Sequence, residues 1–333
     1  MRNWFLFLLA VITMGFQSCS SSKKRYIPSV DDGKLPVVNV QIKQYGKALF
    51  ELDTTRMQKG LKQIQPEFQL FLNASLEDTT NINQLKAFVT DTLNRYLYRH
   101  TAKVFPTVKP LEQSLSSSLS RFQYFFPEQK LPVFYSYISG GYFEAPVISA
   151  NAVMLIGLDN YLGSDFVYYA RMGVPRYKMH WMVKQEFPVD VMKALYETLP
   201  YQHKKARNLL DMMIGAGKVL YYLDAVLPNV ADTLKIRYTA KQLAWVENNE
   251  KHIWGFLVGQ KLLFSANFMQ TNKLMLDGPF TKGFDAEAPA RLGEWVGWQI
   301  VSAYMSRHRE VTLKQLLQNY DAQLILNQSG YKP

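Results

Sequence analysis

The chain has 333 residues, a single cysteine and a formal net charge of +11, from 38 Lys and Arg against 27 Asp and Glu. Hydrophobic residues make up 48% and charged residues 20%, which is ordinary for a globular protein and argues against wholesale disorder. One cysteine excludes an intrachain disulfide and a cysteine-rich zinc or iron–sulfur site.

The first nineteen residues predict an export signal. Met1–Asn3 is a short basic start, Trp4–Phe16 is almost wholly apolar, and Cys19 follows shortly after. The apolar run is too short for a stable membrane span and matches a secretory signal. Because the lone cysteine stands where lipoprotein cleavage would occur, we expect residues 1–18 to be removed as a lipoprotein signal peptide. Cys19 is then the lipidation site, and membrane lipid is the first expected partner.

A polar segment follows the cysteine. Residues 19–35 begin with Ser20–Ser22 and Lys23–Arg25, which predicts a polar tether. No acidic residue follows Cys19 directly, which favours a lipoprotein facing the periplasm. Residues 36–333 predict a single α+β domain, mostly helical with a small central sheet, and residues 36–127 could form a helical subdomain within it.

In the first half, the apolar alternation that begins Pro36–Glu51 predicts a strand, and helical spacing predicts three helices. These helices are Phe50–Phe71, Ile82–Val104 and Leu111–Tyr124. Pro132–Ser139 and Val147–Leu158 are β-type runs that predict a small sheet or a hairpin. Asp159–Gly163 leaves this pair as a loop.

The second half predicts helices whose edges carry prolines. They are Val189–Leu199, Ala206–Leu227, Thr239–Gln260, Ala290–Met305 and Thr312–Leu326. Gly215–Lys218 resembles a phosphate loop only superficially, and we expect it to mark close helix packing. The same expectation holds for Gly293 and Gly297, which are four residues apart.

Two further predictions concern pairs of residues in this half. Trp245 and Trp254, nine residues apart, should lie on nearly opposite faces of one helix, one in the core and the other at the surface or an interface. Arg291 and Glu294 are spaced for a helix ion pair.

The known catalytic motifs are missing from the sequence. The histidines lack metal-ligand spacing, and neither HExxH, G-x-S-x-G nor a dinucleotide-binding glycine pattern occurs. We therefore predict no catalytic residue, no metal ligand and no cofactor. The positive charge is spread along the chain without a recognition motif, so we expect no nucleic-acid partner; anionic lipid or acidic glycan fits better.

Two alternatives remain open. A hydrolase with an unrecognised site would show a titratable cluster in a cleft around Asp159–Asp165 or Glu250. A glycan- or peptide-binding lipoprotein would show exposed aromatic rings lining a groove, since the chain has 20 Tyr, 20 Phe and 6 Trp.

An ordered series of residues in the second half carries a family resemblance. It runs from Asp159–Gly163 through Gly217–Tyr221, Tyr238–Thr239, Trp245, Asn249–Glu250 and Ile253–Trp254 to Pro289–Val301, Tyr304 and Asn327–Pro333. Placed behind a lipoprotein signal, this series resembles the GldB-type gliding motility lipoproteins of Bacteroidota over essentially the whole mature chain. The resemblance implies a non-enzymatic, membrane-anchored component or accessory of the gliding machinery, with envelope proteins as partners.

A second resemblance concerns the fold alone. Two strands followed by successive helices are similar to a zincin-type peptidase body, with Val189–Leu199 and Ala206–Leu227 in the places of the metal-binding helices. The first helix has no histidine, and Ala216–Gly217 stands where Glu-Gly would be expected. This pattern would make the chain a peptidase-like fold without its metal.

Overall fold

The computed structural model describes residues 25–150, 152–201, 205–285 and 287–333. The predicted signal peptide and Cys19 lie outside the described residues. The strands are β1 (Ile42–Gln44), β2 (Val133–Tyr137), β3 (Val147–Ala150) and β4 (Val153–Gly157). The helices of the first half are α1 (Tyr45–Phe50), α2 (Met57–Ile64), α3 (Thr79–Thr90), α4 (Thr92–Val104), α5 (Lys109–Phe125), α6 (Val167–Arg171), α7 (Arg176–Met179) and α8 (Phe187–Tyr196). Those of the second half are α9 (Leu209–Val226), α10 (Asp232–Ile236), α11 (Ala240–Asn248), α12 (Glu250–Gly259), α13 (Phe268–Thr271), α14 (Leu292–Arg307), α15 (Leu313–Gln318) and α16 (Ala322–Ser329).

The four strands form one mixed sheet in the order β1-β2-β4-β3. β1 and β2 are parallel, β2 and β4 are parallel, and β3 pairs with β4 in the antiparallel sense. Of the two alternatives predicted for the β-type runs, the small sheet is therefore confirmed, and a single hairpin made of the two runs is not what forms. Because β3 runs antiparallel to β4, β4 starts at the same edge of the sheet as β2. The hairpin is formed by β3 and β4, which both lie within Val147–Leu158.

The sheet separates two apolar cores because successive strand residues point to opposite faces. Phe134, Met154 and Ile156 belong to the larger core, to which α5, α8, α9 and α14–α16 also contribute. Tyr135 and Val153 belong to or pack against the smaller core, which α1–α4 cover. The predicted α+β class, mostly helical with a small central sheet, is confirmed. Within residues 36–127, α5 packs in the larger core and α1–α4 in the smaller one.

Helices α9 and α14 approach each other at glycine. A Cβ on Gly217 would lie 2.3 Å from the carbonyl carbon and oxygen of Gly297, and one on Gly297 would lie 1.8 Å from the Met213 oxygen. Neither distance is possible for real atoms, so glycine is required at both positions. The expectation that these glycines mark close helix packing is confirmed.

Several predicted helices are interrupted by caps. Asp91 ends α3 with an extended ψ of 135° and accepts a hydrogen bond from the Asn94 amide at the start of α4. The prediction of one helix over Ile82–Val104 is therefore wrong, because a side-chain cap inside a continuous apolar pattern starts a new helix. Asn249 likewise separates α11 from α12, and residues 319–321 separate α15 from α16.

The strand predicted at the start of Pro36–Glu51 is present as β1, which ends at Gln44, and α1 begins at Tyr45. The tryptophan pair differs from prediction. The break at Asn249 removes the single-helix geometry assumed for Trp245 and Trp254. Both rings are half-buried against the larger core, Trp245 near Phe284 and Trp254 near Tyr331.

The first described residues are fixed to the C-terminal helices. The Arg25 guanidinium lies 3.8 Å from the Trp298 ring centroid and pairs with Asp224 and Asp232. Asp224 is fully buried and also accepts from Lys235 Nζ at 2.7 Å and from Trp298 Nε1 at 2.8 Å. Residues 25–27, which fall within the predicted tether, therefore pack on the body of the protein.

The likeness to a zincin-type peptidase body is not supported. Among the described residues, no group of three or more His, Cys, Asp or Glu side chains could hold a metal ion. The two helices compared with metal-binding helices, α8 and α9, instead bury mainly aliphatic and aromatic side chains. No described helix is both long enough and apolar enough to span a bilayer.

Candidate functional site

The candidate site begins at the carboxyl ends of β2 and β4. Because these parallel strands are neighbours, the segments that follow them meet at one edge of the sheet, where α/β proteins commonly place ligands. Asp159 follows β4, is 1% exposed, and accepts from the Ser139 amide and hydroxyl, both at 2.8 Å, and from the Gly141 amide at 3.1 Å. Burial raises the pKa of Asp159, and these three donors oppose the rise. The residue therefore cross-links the two strand ends.

Asn160 lies beside Asp159 and is 2% exposed. Its Nδ2 donates to the Tyr142 and Gly157 carbonyls, both at 3.2 Å, and to Ser139 Oγ at 3.3 Å. Two carbonyl acceptors identify this end of the amide as the nitrogen. The other end, Oδ1, has no hydrogen-bond partner among the residues that the structure describes and belongs to a residue that lines the cleft described below.

A charged cluster packs next to these strand ends. Glu186 is fully buried at the start of α8, and its Oε2 lies 3.2 Å from Arg237 Nε. Arg237 also pairs with Asp190 in the first turn of α8, and Asp190 accepts from the Tyr161 hydroxyl at 3.0 Å. One guanidinium thus holds two carboxylates in a fixed geometry, as expected for arginine with its rigid fork of donors.

The pKa values of several ionisable groups in and beside this cluster are shifted from their ordinary values. Burial raises the pKa of Glu186 to about 7, against the attraction of Arg237, and the negative charge of Asp190 adds to the rise. Burial and the positive charge of Arg237 lower the pKa of Lys193 to about 8. Burial also raises the pKa of Glu294. Such shifts within a cleft are common at functional sites.

Two arginines of the site have unusual backbone conformations. Arg237 has φ 58° and Arg291 has φ 61°, both in the left-handed region that non-glycine residues seldom adopt. Arg291 donates from its guanidinium to the Arg237 carbonyl at 3.0 Å. Each such residue costs on the order of 1 kcal/mol or more, and strained positions of this kind concentrate at ligand and active sites.

The cleft itself consists of two adjoining cavities of about 190 Å³ each. Trp181, Arg237 and Asp277 line both cavities, so the two form one depression. The first extends to Asn160, Tyr161, Asp190, Phe143 and Lys178. The second extends to Tyr177, His180, Tyr238, Pro279 and Arg291.

The residues expected for a hydrolase site are not brought together. Asp159 is engaged between strand ends, whereas Asp165 is exposed and accepts only a long hydrogen bond, at 3.4 Å, from its neighbour Ser164. Glu250 lies elsewhere and accepts from the Tyr331 hydroxyl at 3.1 Å, which fixes the C-terminal residues to α12. The titratable cluster lies around Arg237, and the cleft beside it includes Asn160 and Tyr161 from the segment Asp159–Asp165, so the hydrolase alternative stays a prediction.

Sequence reasoning missed this cluster. Glu186, Asp190 and Lys193 are spaced by four and three residues, which places three charges on one face of an otherwise apolar helix. That pattern was the available signal. The predicted pair of Arg291 with Glu294 is loose, at 3.9 Å, because Arg291 precedes α14 in a left-handed conformation and turns toward Asp277 and Arg237.

Sequence comparison matches residues 23–333 to the family described as "Gliding motility protein GldB". The chain belongs to the GldB family. Residues on which the resemblance depended fall in two places: Gly217 and Gly297 form the α9–α14 contact, whereas Tyr238 and Arg291 line the cleft of this GldB-family protein. No curated protein and no solved structure matches the chain.

Proposed function

We propose that this GldB-family protein is a lipoprotein held on a membrane through acylated Cys19, with its body facing the periplasm. The observation that carries the proposal is the family match over residues 23–333, which starts four residues after that cysteine. The apolar run before Cys19 supplies the expected signal for export and cleavage.

Its proposed role is that of a non-enzymatic component or accessory of the cell-envelope gliding machinery. The family description names gliding motility, and a membrane-held body is suited to contacts with other envelope proteins. The paired charges of the cleft support binding over chemistry, because Arg237 holds Glu186 and Asp190 as fixed hydrogen-bond acceptors.

Attachment is tested by growing cells with a labelled fatty acid. We expect label on the wild-type protein and none on the Cys19→Ala variant, which should also remain uncleaved. A Ser18→Ala variant, altered next to the cysteine, is the matched control and should keep the label. Equal labelling of wild type and Cys19→Ala would refute attachment through this residue.

The role is tested by crosslinking the tagged, lipidated protein in its own envelope and purifying it. We expect a defined set of envelope proteins that is lost from the Cys19→Ala sample. Recovery of bulk lipoproteins alone, in the same amounts from both samples, would contradict a role in an assembly.

A further inference from the structure

The cleft at the strand ends has the size and wall chemistry of a small-ligand site. Its two cavities together reach the lower end of the roughly 300–1,000 Å³ typical of ligand pockets. Both open around Trp181, which is half-buried. The floor is held rigidly by the strand ends and α8, so the site is formed before a ligand arrives.

The charges that line the cleft are already neutralised by one another. Lys178 Nζ lies 3.1 Å from Glu144, and Arg237 pairs with Asp190 and Glu186. Arg291 Nε lies 3.5 Å from Asp277. A charged ligand would have to displace one of these partners, whereas an uncharged polar ligand can use their remaining lone pairs and protons.

One buried acceptor in the wall has no donor among the described residues. Asn160 Oδ1 finds no hydrogen-bond partner in that part of the chain although the side chain is 2% exposed, and the two N–H groups of its amide are shared among three acceptors. A buried acceptor in this state costs about 1–3 kcal/mol. A ligand that brings an O–H or N–H to this point recovers that free energy.

Aromatic rings supply the apolar part of the wall. Phe143 lies in the first cavity, Tyr177 in the second, and Trp181 between them. All three are half-buried and keep some surface open. Flat apolar faces next to fixed carboxylate and amide acceptors match a sugar, whose ring has C–H faces and whose hydroxyls donate as well as accept.

We propose that this cleft binds a neutral saccharide of one or two rings. Trp181 packs against a sugar face, while Asn160 Oδ1, Asp190 and Asp277 accept from hydroxyls. A peptide fits less well, because extended peptides are recognised along a sheet edge or a long groove, and this site is two short cavities. The inference goes beyond the proposed gliding role and does not depend on acylation.

The test is isothermal titration of the full-length protein, purified from membranes in detergent. The neutral probes are maltose, cellobiose, mannobiose and N,N′-diacetylchitobiose. Two competing classes are represented by acetyl-di-alanine amide and digalacturonic acid. We expect at least one neutral probe to bind with a Kd of about 1 mM or tighter, equivalent to roughly −4 kcal/mol, and more tightly than either competitor.

Variants locate the binding in the cleft. Trp181→Ala should weaken the best neutral probe by about tenfold or more, Trp181→Phe by about threefold or less, and Asp277→Asn by several-fold. The matched control is Phe268→Ala, which removes a ring that is 65% exposed and outside the cleft, and should change nothing. Thermal melting of each variant separates lost binding from lost folding, and Trp181→Phe and Asp277→Asn carry the test if Trp181→Ala does not fold.

Three results would overturn the inference. The first is failure of all four neutral probes to bind at 10 mM. The second is tighter binding of the peptide or of the acidic saccharide. The third is unchanged saccharide binding in folded Trp181→Ala and Asp277→Asn. Loss of fatty-acid labelling at Cys19 or of co-purifying envelope proteins would leave this result unaffected, so the two proposals fail separately.

Discussion

The α9–α14 contact gives the sharpest stability prediction. A methyl group on Gly217 would meet backbone atoms of Gly297 at 2.3 Å, about 1 Å closer than ordinary contact. Backbone cannot rotate away as a side chain can, so α9 and α14 must separate along a contact that lies in the larger core. Overpacking of this kind lowers the free energy of unfolding by about 3 kcal/mol, and the better helix propensity of alanine raises it by about 1 kcal/mol. We expect Gly217→Ala to destabilise the protein by about 2 kcal/mol.

The same helix offers a matched control. Gly215 is exposed in α9, and a Cβ there would meet nothing within 4 Å. Gly215→Ala should therefore stabilise the protein by about 0.5–1 kcal/mol through helix propensity alone. Urea denaturation followed by circular dichroism measures both variants. If Gly217→Ala is as stable as Gly215→Ala, the close approach of the two helices is not as described.

Three further outcomes follow from single side chains. Lys235→Met should lower the free energy of unfolding by about 2–3 kcal/mol in urea denaturation, because it removes one buried cation from fully buried Asp224 while Arg25 stays beside it; a loss below 1 kcal/mol would argue against that pair. Asp91→Ala should lower the free energy of unfolding by about 1 kcal/mol, because it removes the cap of α4. An unchanged urea denaturation midpoint would show that the cap does not stabilise the protein. The pKa of Glu186 is raised to about 7 from an ordinary 4.5. Between these pH values the folded state therefore binds more protons than the unfolded state, so the contribution of Glu186 to the free energy of unfolding falls as pH rises from 4.5 to 7. Glu186→Gln should remove that part of the pH dependence in denaturation curves at pH 5 and 7.5, and an identical pH dependence in both proteins would refute the assignment.

The sequence predicts the long buried helices best. α9 and α14 are apolar over many turns, and both Gly215–Lys218 and the spacing of Gly293 and Gly297 indicate close packing, although neither pattern says that Gly217 and Gly297 meet each other. Breaks at Asp91 and Asn249 are harder to predict, because the apolar periodicity continues through them and only the polar caps mark the new helices.

The cleft could not be assembled from the sequence. Glu186 and Asp190 are close along the chain and leave a readable charged face on α8. Arg237, however, reaches them from a position about fifty residues later, and Arg291, about fifty residues further on, donates to the Arg237 carbonyl. Local spacing carries no information on which distant arginine meets a given carboxylate. The role of Asp159 could not be predicted for a related reason. The sequence shows an acidic residue in a loop, but it does not show the three donors that engage its carboxylate.

The fixed position of Arg25 has a mechanical consequence. Six residue steps separate Cys19 from Arg25, and an extended chain covers at most about 3.6 Å per step, so the lipid proposed at Cys19 would be attached at most about 20 Å from Arg25. A pull on that lipid would enter the body at Asp224 and Trp298, in the α9–α14 pair. Load would therefore pass into the most deeply packed part of the protein, and not into a peripheral loop.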